Sequence, residues 1–353
     1  MSAPHRRDSI SYTALGREVA GARVLGIRPW SYGAIVPIAH YSEEDHERFA
    51  ACSLALHACR AAGQRVLEQT MLQPLPGSRG DQDRRELQAR RPRPPDNVLT
   101  VVMGSTVGPH VYAAAEYLGA LSLLYAREEI HVAPMVLART TIEHCAQAIW
   151  ILGSADSTCE SRIARALLDV INGLEQVEQY AAQFRGEASP DHRRRKELTE
   201  AFRTDAHRLF PPPYELRPST GGRKRPALGS EHFPSHTQMV MSAVGLMSTS
   251  LDEQQARGTY GLLSASVHAT PNEIVDLVAQ GDEADPASIS MTRDRRTHEP
   301  LVRMIVSFFY SALSHAMSYS AIRSPDHEQL GSLIQEHLPG HFDDGPAPGP
   351  FEH

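Results

Sequence analysis

The chain has 353 residues and a mass of 38.9 kDa, enough to bury a substantial core and too long for a small fold held by disulfides. Apolar residues make up 41% and charged residues 22%, with a mean hydropathy of -0.35, a balance that excludes a disordered chain and a membrane-embedded one. The net charge of -7 excludes a globally basic nucleic-acid binder, and 6% aromatics in an alanine-rich background suit packed helices rather than a sheet sandwich.

Residues 1–41 show no clear period. Ser42 followed by Glu43, Glu44 and Asp45 is a capping-box start, and the Ala-rich stretch to about Leu72 predicts a long helix stopped by Pro74 and Pro76. From Pro74 to Asp96 the chain is charged and Pro-rich with no large apolar run, so burial cannot offset its ordering entropy and a mobile loop is expected. The run NVLTVVM at 97–103 has strand composition but no second β-rich run to pair with, so an extended or a buried helical segment fits it equally. Pro109 to about Glu129 and Pro134 to about Leu152 then read as two apolar helices, a hairpin across the short EIHVAP break.

Ser157 and Glu160 form a capping-box signature ahead of Ile163, Leu167, Val170, Leu174, Val177, Ala181 and Phe184, spaced 4, 3, 4, 3, 4, 3. Three heptads suffice for packing within one chain, so this seam reads as half of an internal hairpin rather than a dimer zipper. Ser189 and Pro190 open a polar helix that ends before Pro211. Residues 211–234, with PPPY and GGRKRP, read as a second exposed loop. Helix starts follow at Ser235, at Ser250 with Glu253 for a helix running to His268, and at Thr270 with Pro271 for one ending at Gly281. Pro300 opens a long helix to about Ile322 in which Ser307, Ser311, Ser314 and Ser318 share a face, and Ser324 with Pro325 opens a last one. Small residues on that face admit a close helix neighbour, and a polar ligand lining is the functional alternative.

The predicted fold is therefore all-α, a multi-helix bundle. Residues 1–96 form an irregular segment, a long helix and a charged loop, 97–338 the bundle, and 339–353 a disordered tail. No apolar tract resembles a bilayer span, no secretory signal is visible, and the four cysteines show neither C-x-x-C nor zinc spacing, so a reducing cytoplasmic setting is expected.

Chemistry-bearing residues concentrate in two places. Arg139, Glu143 and His144 interrupt the apolar helix MVLARTTIEHCAQAIWIL, the first two at i, i+4 and so on one face. Tyr260, Ser264 and His268 lie at i, i+4 and i+8, a single polar stripe that would meet the Arg139 cluster. One reading is a set of ionic and hydroxyl contacts that fixes helix register; the other is a histidine working near its ordinary pKa of ~6.5 as general acid or base while Arg139 stabilises an anion. Glu43 with His46 and Glu128 with His131 have the Glu-x-x-His spacing of di-iron bundles. Neither is convincingly directed into a core, so no metal and no other cofactor is expected.

The segment RTTIEHCAQAIW, followed by YGLLSASVHATP, resembles all-helical bacterial proteins related in appearance to HEPN domains, helical nucleic-acid-associated modules of toxin and abortive-infection systems. The resemblance spans roughly residues 110–280 in two short motifs. HEPN ribonucleases carry an Arg followed after four to six residues by His, which Arg139 and His144 match. The resemblance implies cleavage of RNA without a metal, by attack of the 2'-hydroxyl, typically across a homodimer. Arg193, Arg194 and Arg195 in HRRRK and Arg223, Lys224 and Arg225 in GGRKRP are the basic residues expected to meet RNA phosphates. The competing classes are a non-catalytic helical interaction protein and a small-molecule enzyme using the polar seam as its pocket.

Overall fold

A computed structural model describes residues 41–70, 72–90, 106–128, 133–210, 215–218, 224–247, 253–268 and 298–342. Helix α1 (Glu43–Thr70) starts where the sequence places it: the Asp45 N–H donates to Ser42 Oγ at 3.2 Å, and the Ser42 N–H returns to Asp45 Oδ2 at 2.9 Å. Its buried stripe, Phe49, Cys52, Leu56, Cys59, Gly63 and Val66, alternates steps of three and four, so one face meets the core along the whole helix. Gly63 lets a neighbour come close, since a Cβ there would sit 2.6 Å from the Phe309 ring.

Helices α2 (Arg79–Arg90), α3 (Val107–Ala126), α4 (Ala133–Leu152), α5 (Cys159–Arg185) and α6 (Pro190–Leu209) follow. Three short strands come next: β1 (Glu215–Pro218), β2 (Lys224–Leu228) and β3 (Glu231–His232). The described chain ends with α7 (His236–Leu246), α8 (Glu253–His268), α9 (His298–Ser320) and α10 (Pro325–His337). The protein is thus an all-α multi-helix bundle, as its composition predicts. Helix α9 is buried on nearly every side and packs against α1, α3 and α4 at the centre, while α10 lies against α1. Helices α1 and α2 contribute Leu56, Val66 and Leu87 to the same hydrophobic core as Leu118, Ile149 and Phe308.

Several expectations need correction. The charged stretch after Pro74 is not a loop over 79–90 but α2, tied down by Leu87 and by the completely buried Asp81 and Asp83. Residues 211–234 are likewise not simply an exposed loop. β1, β2 and β3 pair antiparallel, with Leu216 opposite Pro226 and Leu228 opposite Glu231, and Ala227 and Leu228 are buried. Arg165 on α5 holds this sheet through Glu231 at 2.9 Å. The cap of α5 is Thr158, whose Oγ1 accepts the Ser161 N–H at 3.1 Å, because Ser157 Oγ is turned to the Ser154 N–H instead.

The seam on α5 is buried at Ile163 and Leu167 and packs with α6 as a hairpin. Beyond Leu174 Ala181 stays buried while Val177 and Phe184 are exposed, Phe184 at 86%. The start of the expected tail is also ordered: Arg303 Nη2 donates to the Pro339 carbonyl at 2.9 Å, and Phe342 packs 5.1 Å from the Tyr310 ring. The serine face of α9 serves this contact. Ser314 Oγ is 2.8 Å from His327 Nε2 and Ser307 Oγ 3.2 Å from His341 Nε2, so the close neighbour the small residues admit is α10 with the turn after it. Residues 1–40, the NVLTVVM run, the helix expected over 270–281 and the tail from 343 lie outside the described residues.

Candidate functional site

Helix α4 supplies the frame, because Arg139, Glu143 and Gln147 fall four residues apart along one side of it. Arg139 Nε donates to Glu143 Oε1 at 2.7 Å, and Tyr260 of α8 donates its hydroxyl to the same oxygen at 2.7 Å. The Arg139 guanidinium also lies over the Tyr260 ring, 5.9 Å from its centre. Ser264 joins through its backbone carbonyl, 3.5 Å from Arg139 Nη1, rather than through its hydroxyl. His236, at the start of α7, stands with Nδ1 3.8 Å from Glu143 Oε2. The juxtaposition of α4 and α8 expected from sequence is therefore present for Arg139, Glu143, Tyr260 and Ser264, and the side chain of His268 lies outside the described residues. Burial and the bond to Glu143 hold the Tyr260 hydroxyl well above its usual range, so it stays a donor.

His144 turns the other way. It does not join Arg139 at the α8 side but faces α3 and α5, with Nδ1 3.0 Å from His110 Nδ1. The His110 Nε2 is in turn 3.1 Å from Asp169 Oδ2, and Gln147 donates its amide to Asp169 Oδ1. Tyr117, seven residues after His110 on α3, stacks on the His144 ring at 5.8 Å between centres and 17° between planes. Burial, and then the neighbouring His110, push the His144 pKa down to about 4, which corrects the expectation of a histidine near its ordinary value. Among the described residues no side chain takes the remaining His144 nitrogen, Nε2. Both clusters sit in a half-open position: Arg139 is 16%, Glu143 18%, His110 15% and Asp169 12% exposed.

His110, Tyr117, Asp169 and His236 are thus part of the site, and sequence reasoning missed them. The signal for the first two was a polar pair at i, i+7 on the apolar helix 107–126. Asp169, one of several carboxylates on the amphipathic α5, carries none.

Of the basic residues, Arg193 and Arg194 on α6 are exposed, whereas Arg195 is drawn to Asp191 at 3.3 Å. Arg223 and the side chains of Lys224 and Arg225 lie outside the described residues. One other group among the described residues brings three ligand-type side chains together: Asp83, Glu86 and Cys159. Arg162 and Tyr319 already occupy both Asp83 oxygens, and a cation would have to displace the guanidinium. His46 and Glu128, from the two Glu-x-x-His pairs, bond to each other at the surface.

No protein-family model matches the chain, and neither a curated protein nor a solved structure does. No helix among the described residues is long and apolar enough to cross a membrane.

Proposed function

We propose that the protein is a HEPN-like ribonuclease of a defence or toxin-type system, acting on RNA in the cytoplasm without a metal ion. The observation that carries the reading is that consecutive residues of α4 serve two complementary clusters. Glu143 holds the guanidinium of Arg139, and His144 is a neutral imidazole whose second ring nitrogen has no partner among the described residues. In this reading Arg139 stabilises the negative charge that develops on the phosphate, while His144 takes the proton of the attacking 2'-hydroxyl. The 2'-oxygen bonds to phosphorus, the bond from phosphorus to the 5'-oxygen breaks, and the departing oxygen takes a proton from water. Tyr260 keeps Glu143 fixed, and exposed Arg193 and Arg194 supply phosphate contacts away from the reacting bond.

The four buried free thiols fit a reducing compartment. The exposed Val177, Tyr180 and Phe184 on one side of α5 favour a homodimer, the arrangement typical of that family. Sedimentation of the wild type and of Phe184→Glu tests the dimer, which the charge should dissociate; a wild type that stays monomeric at high concentration removes it.

The deciding experiment compares cleavage of single-stranded RNA in excess chelator by the wild type, Arg139→Ala and His144→Ala, with thermal unfolding of each. Folded variants that lose cleavage support the reading. Pure wild type that cuts no RNA at any protein concentration ends it. One observation favours a second reading, a non-catalytic lock between α4 and α8: Arg139, Glu143 and Tyr260 satisfy one another's polar groups. Under that reading Arg139→Ala loses stability and there is no cleavage to lose.

A further inference from the structure

We propose that Asp169, His110 and His144 form a proton relay in which Asp169 and His110 are positioning residues that keep the His144 Nε2 lone pair presented as the base. The catalytic consequence rests on the ribonuclease reading above, and the relay itself is argued from donors and acceptors with His110 singly protonated.

An ionised carboxylate only accepts, so the His110 Nε2 that faces Asp169 Oδ2 at 3.1 Å carries a proton. The other Asp169 oxygen is taken by the Gln147 amide, which fixes the carboxylate. The relay takes His110 as carrying a single proton, on Nε2, which leaves a lone pair at Nδ1; His144 Nδ1, 3.0 Å from that nitrogen, is then the donor. An imidazole that carries its proton on Nδ1 has a bare Nε2. The chain of contacts thus selects one tautomer of His144, and Tyr117 stacked on the ring fixes its plane.

The groups facing His144 come from four helices. His110 and Tyr117 belong to α3, Asp169 to α5 and His236 to α7; Glu143 belongs to its own helix, α4. Desolvation holds the ring neutral at pH 7, as a base must be. When Nε2 takes the proton of the 2'-hydroxyl, His144 becomes an imidazolium whose Nδ1–H points at the His110 lone pair. The new positive charge is then backed through His110 by the Asp169 carboxylate. No electron transfer and no co-reactant is needed, and the Nε2 proton returns to solvent after product leaves.

The relay is tested on the full-length protein at rest, by long-range proton–nitrogen NMR of the His144 ring at pH 7. The expected result is a protonated Nδ1 and a bare Nε2 in the wild type. His110→Leu removes the acceptor and should give a mixture of tautomers. His110→Asn, whose side-chain oxygen can stand where Nδ1 stood, should restore the wild-type signature. A wild-type ring protonated on Nε2, or a ring spectrum unchanged in His110→Leu, overturns the relay. In cleavage assays His110→Leu should lower kcat at least about tenfold with KM unchanged, and His110→Asn should recover most of it. If the wild type cuts no RNA, the ribonuclease reading fails while the tautomer still decides the relay.

Discussion

Asp83 and Arg162, 79 residues apart, meet inside the protein as a bidentate pair, Nε to Oδ2 at 2.5 Å and Nη2 to Oδ1 at 2.9 Å. Both are almost wholly buried, at 0% and 1% exposed, and the Tyr319 hydroxyl donates to Asp83 Oδ2 at 2.9 Å. Arg162 also donates Nη1 to the Ser157 carbonyl at 2.5 Å, so α2, α5 and α9 are bound at one point. Asp83→Ala takes both bidentate carboxylate contacts from a buried guanidinium and should cost about 3–5 kcal/mol in denaturant unfolding. The paired replacement Asp83→Leu with Arg162→Met should recover most of that loss. A single-variant loss below about 1 kcal/mol would show that water reaches the pair.

This pair also explains what the sequence concealed. Capping residues and three–four apolar spacing act within one turn or one helix, so α1, the α3–α4 hairpin and the start of α7 were legible from local text. Arg139 and Glu143 were legible for the same reason, being one turn apart on α4. Helix α2 was not, because RGDQDRRELQAR offers only Leu87 for apolar burial, and its Asp83 carboxylate becomes buriable only when the distant Arg162 and Tyr319 arrive. The Asp81 carboxyl, held below its ordinary value first by the Gly77 N–H, depends on the turn before the helix. The short strands were hidden in the same way, since their pairing draws on Arg- and Pro-rich text with few apolar side chains. The Asp169–His110–His144 chain joins three helices, and no single stretch of sequence contains it.

Acid should destabilise the protein through histidines the fold keeps neutral. Burial pushes His144 and His341 from 6.5 down to about 4, and lowers His315 and His327 as well. As pH falls through about 6.5 the unfolded chain binds protons that the folded one refuses, so stability is complete above that value and drains away toward pH 4. His144 and His341 should each contribute on the order of 1–2 kcal/mol over this window, given partial solvent access, and His315 and His327 act in the same direction. Chemical denaturation at pH 7.5 and pH 5 measures the difference, and His341→Gln, which keeps a donor toward Ser307, should flatten it. Equal stability at the two pH values would contradict these buried neutral rings.

The four thiols should be silent in the native state. Cys52, Cys59, Cys145 and Cys159 are all buried and free, and burial raises each pKa, to about 12 for Cys52 and Cys159. The thiolate is the reactive form, so a disulfide reagent at pH 8 should modify the folded protein only as fast as it opens. Four equivalents should appear at once in denaturant. Rapid release of one equivalent from the folded protein would mark a local opening at that helix.

Glu143 holds the key to how much charge the site can offer an anion. Its Oε1 takes both the Arg139 Nε–H and the Tyr260 hydroxyl, so the guanidinium is neutralised at rest. Glu143→Gln keeps an oxygen for one of these bonds while removing the negative charge, which leaves Arg139 with a net positive field toward solvent. If Arg139 faces RNA phosphate, the variant should bind single-stranded RNA more tightly, and the slope of log K against log salt should steepen by about 0.7, the increment for one added phosphate contact. Its thermal stability should fall only modestly, because the neutral amide still bridges α4 and α8. An unchanged salt slope in a folded Glu143→Gln protein would place Arg139 outside the path of the nucleic acid and leave the Arg139–Glu143–Tyr260 contact as a helix-to-helix lock.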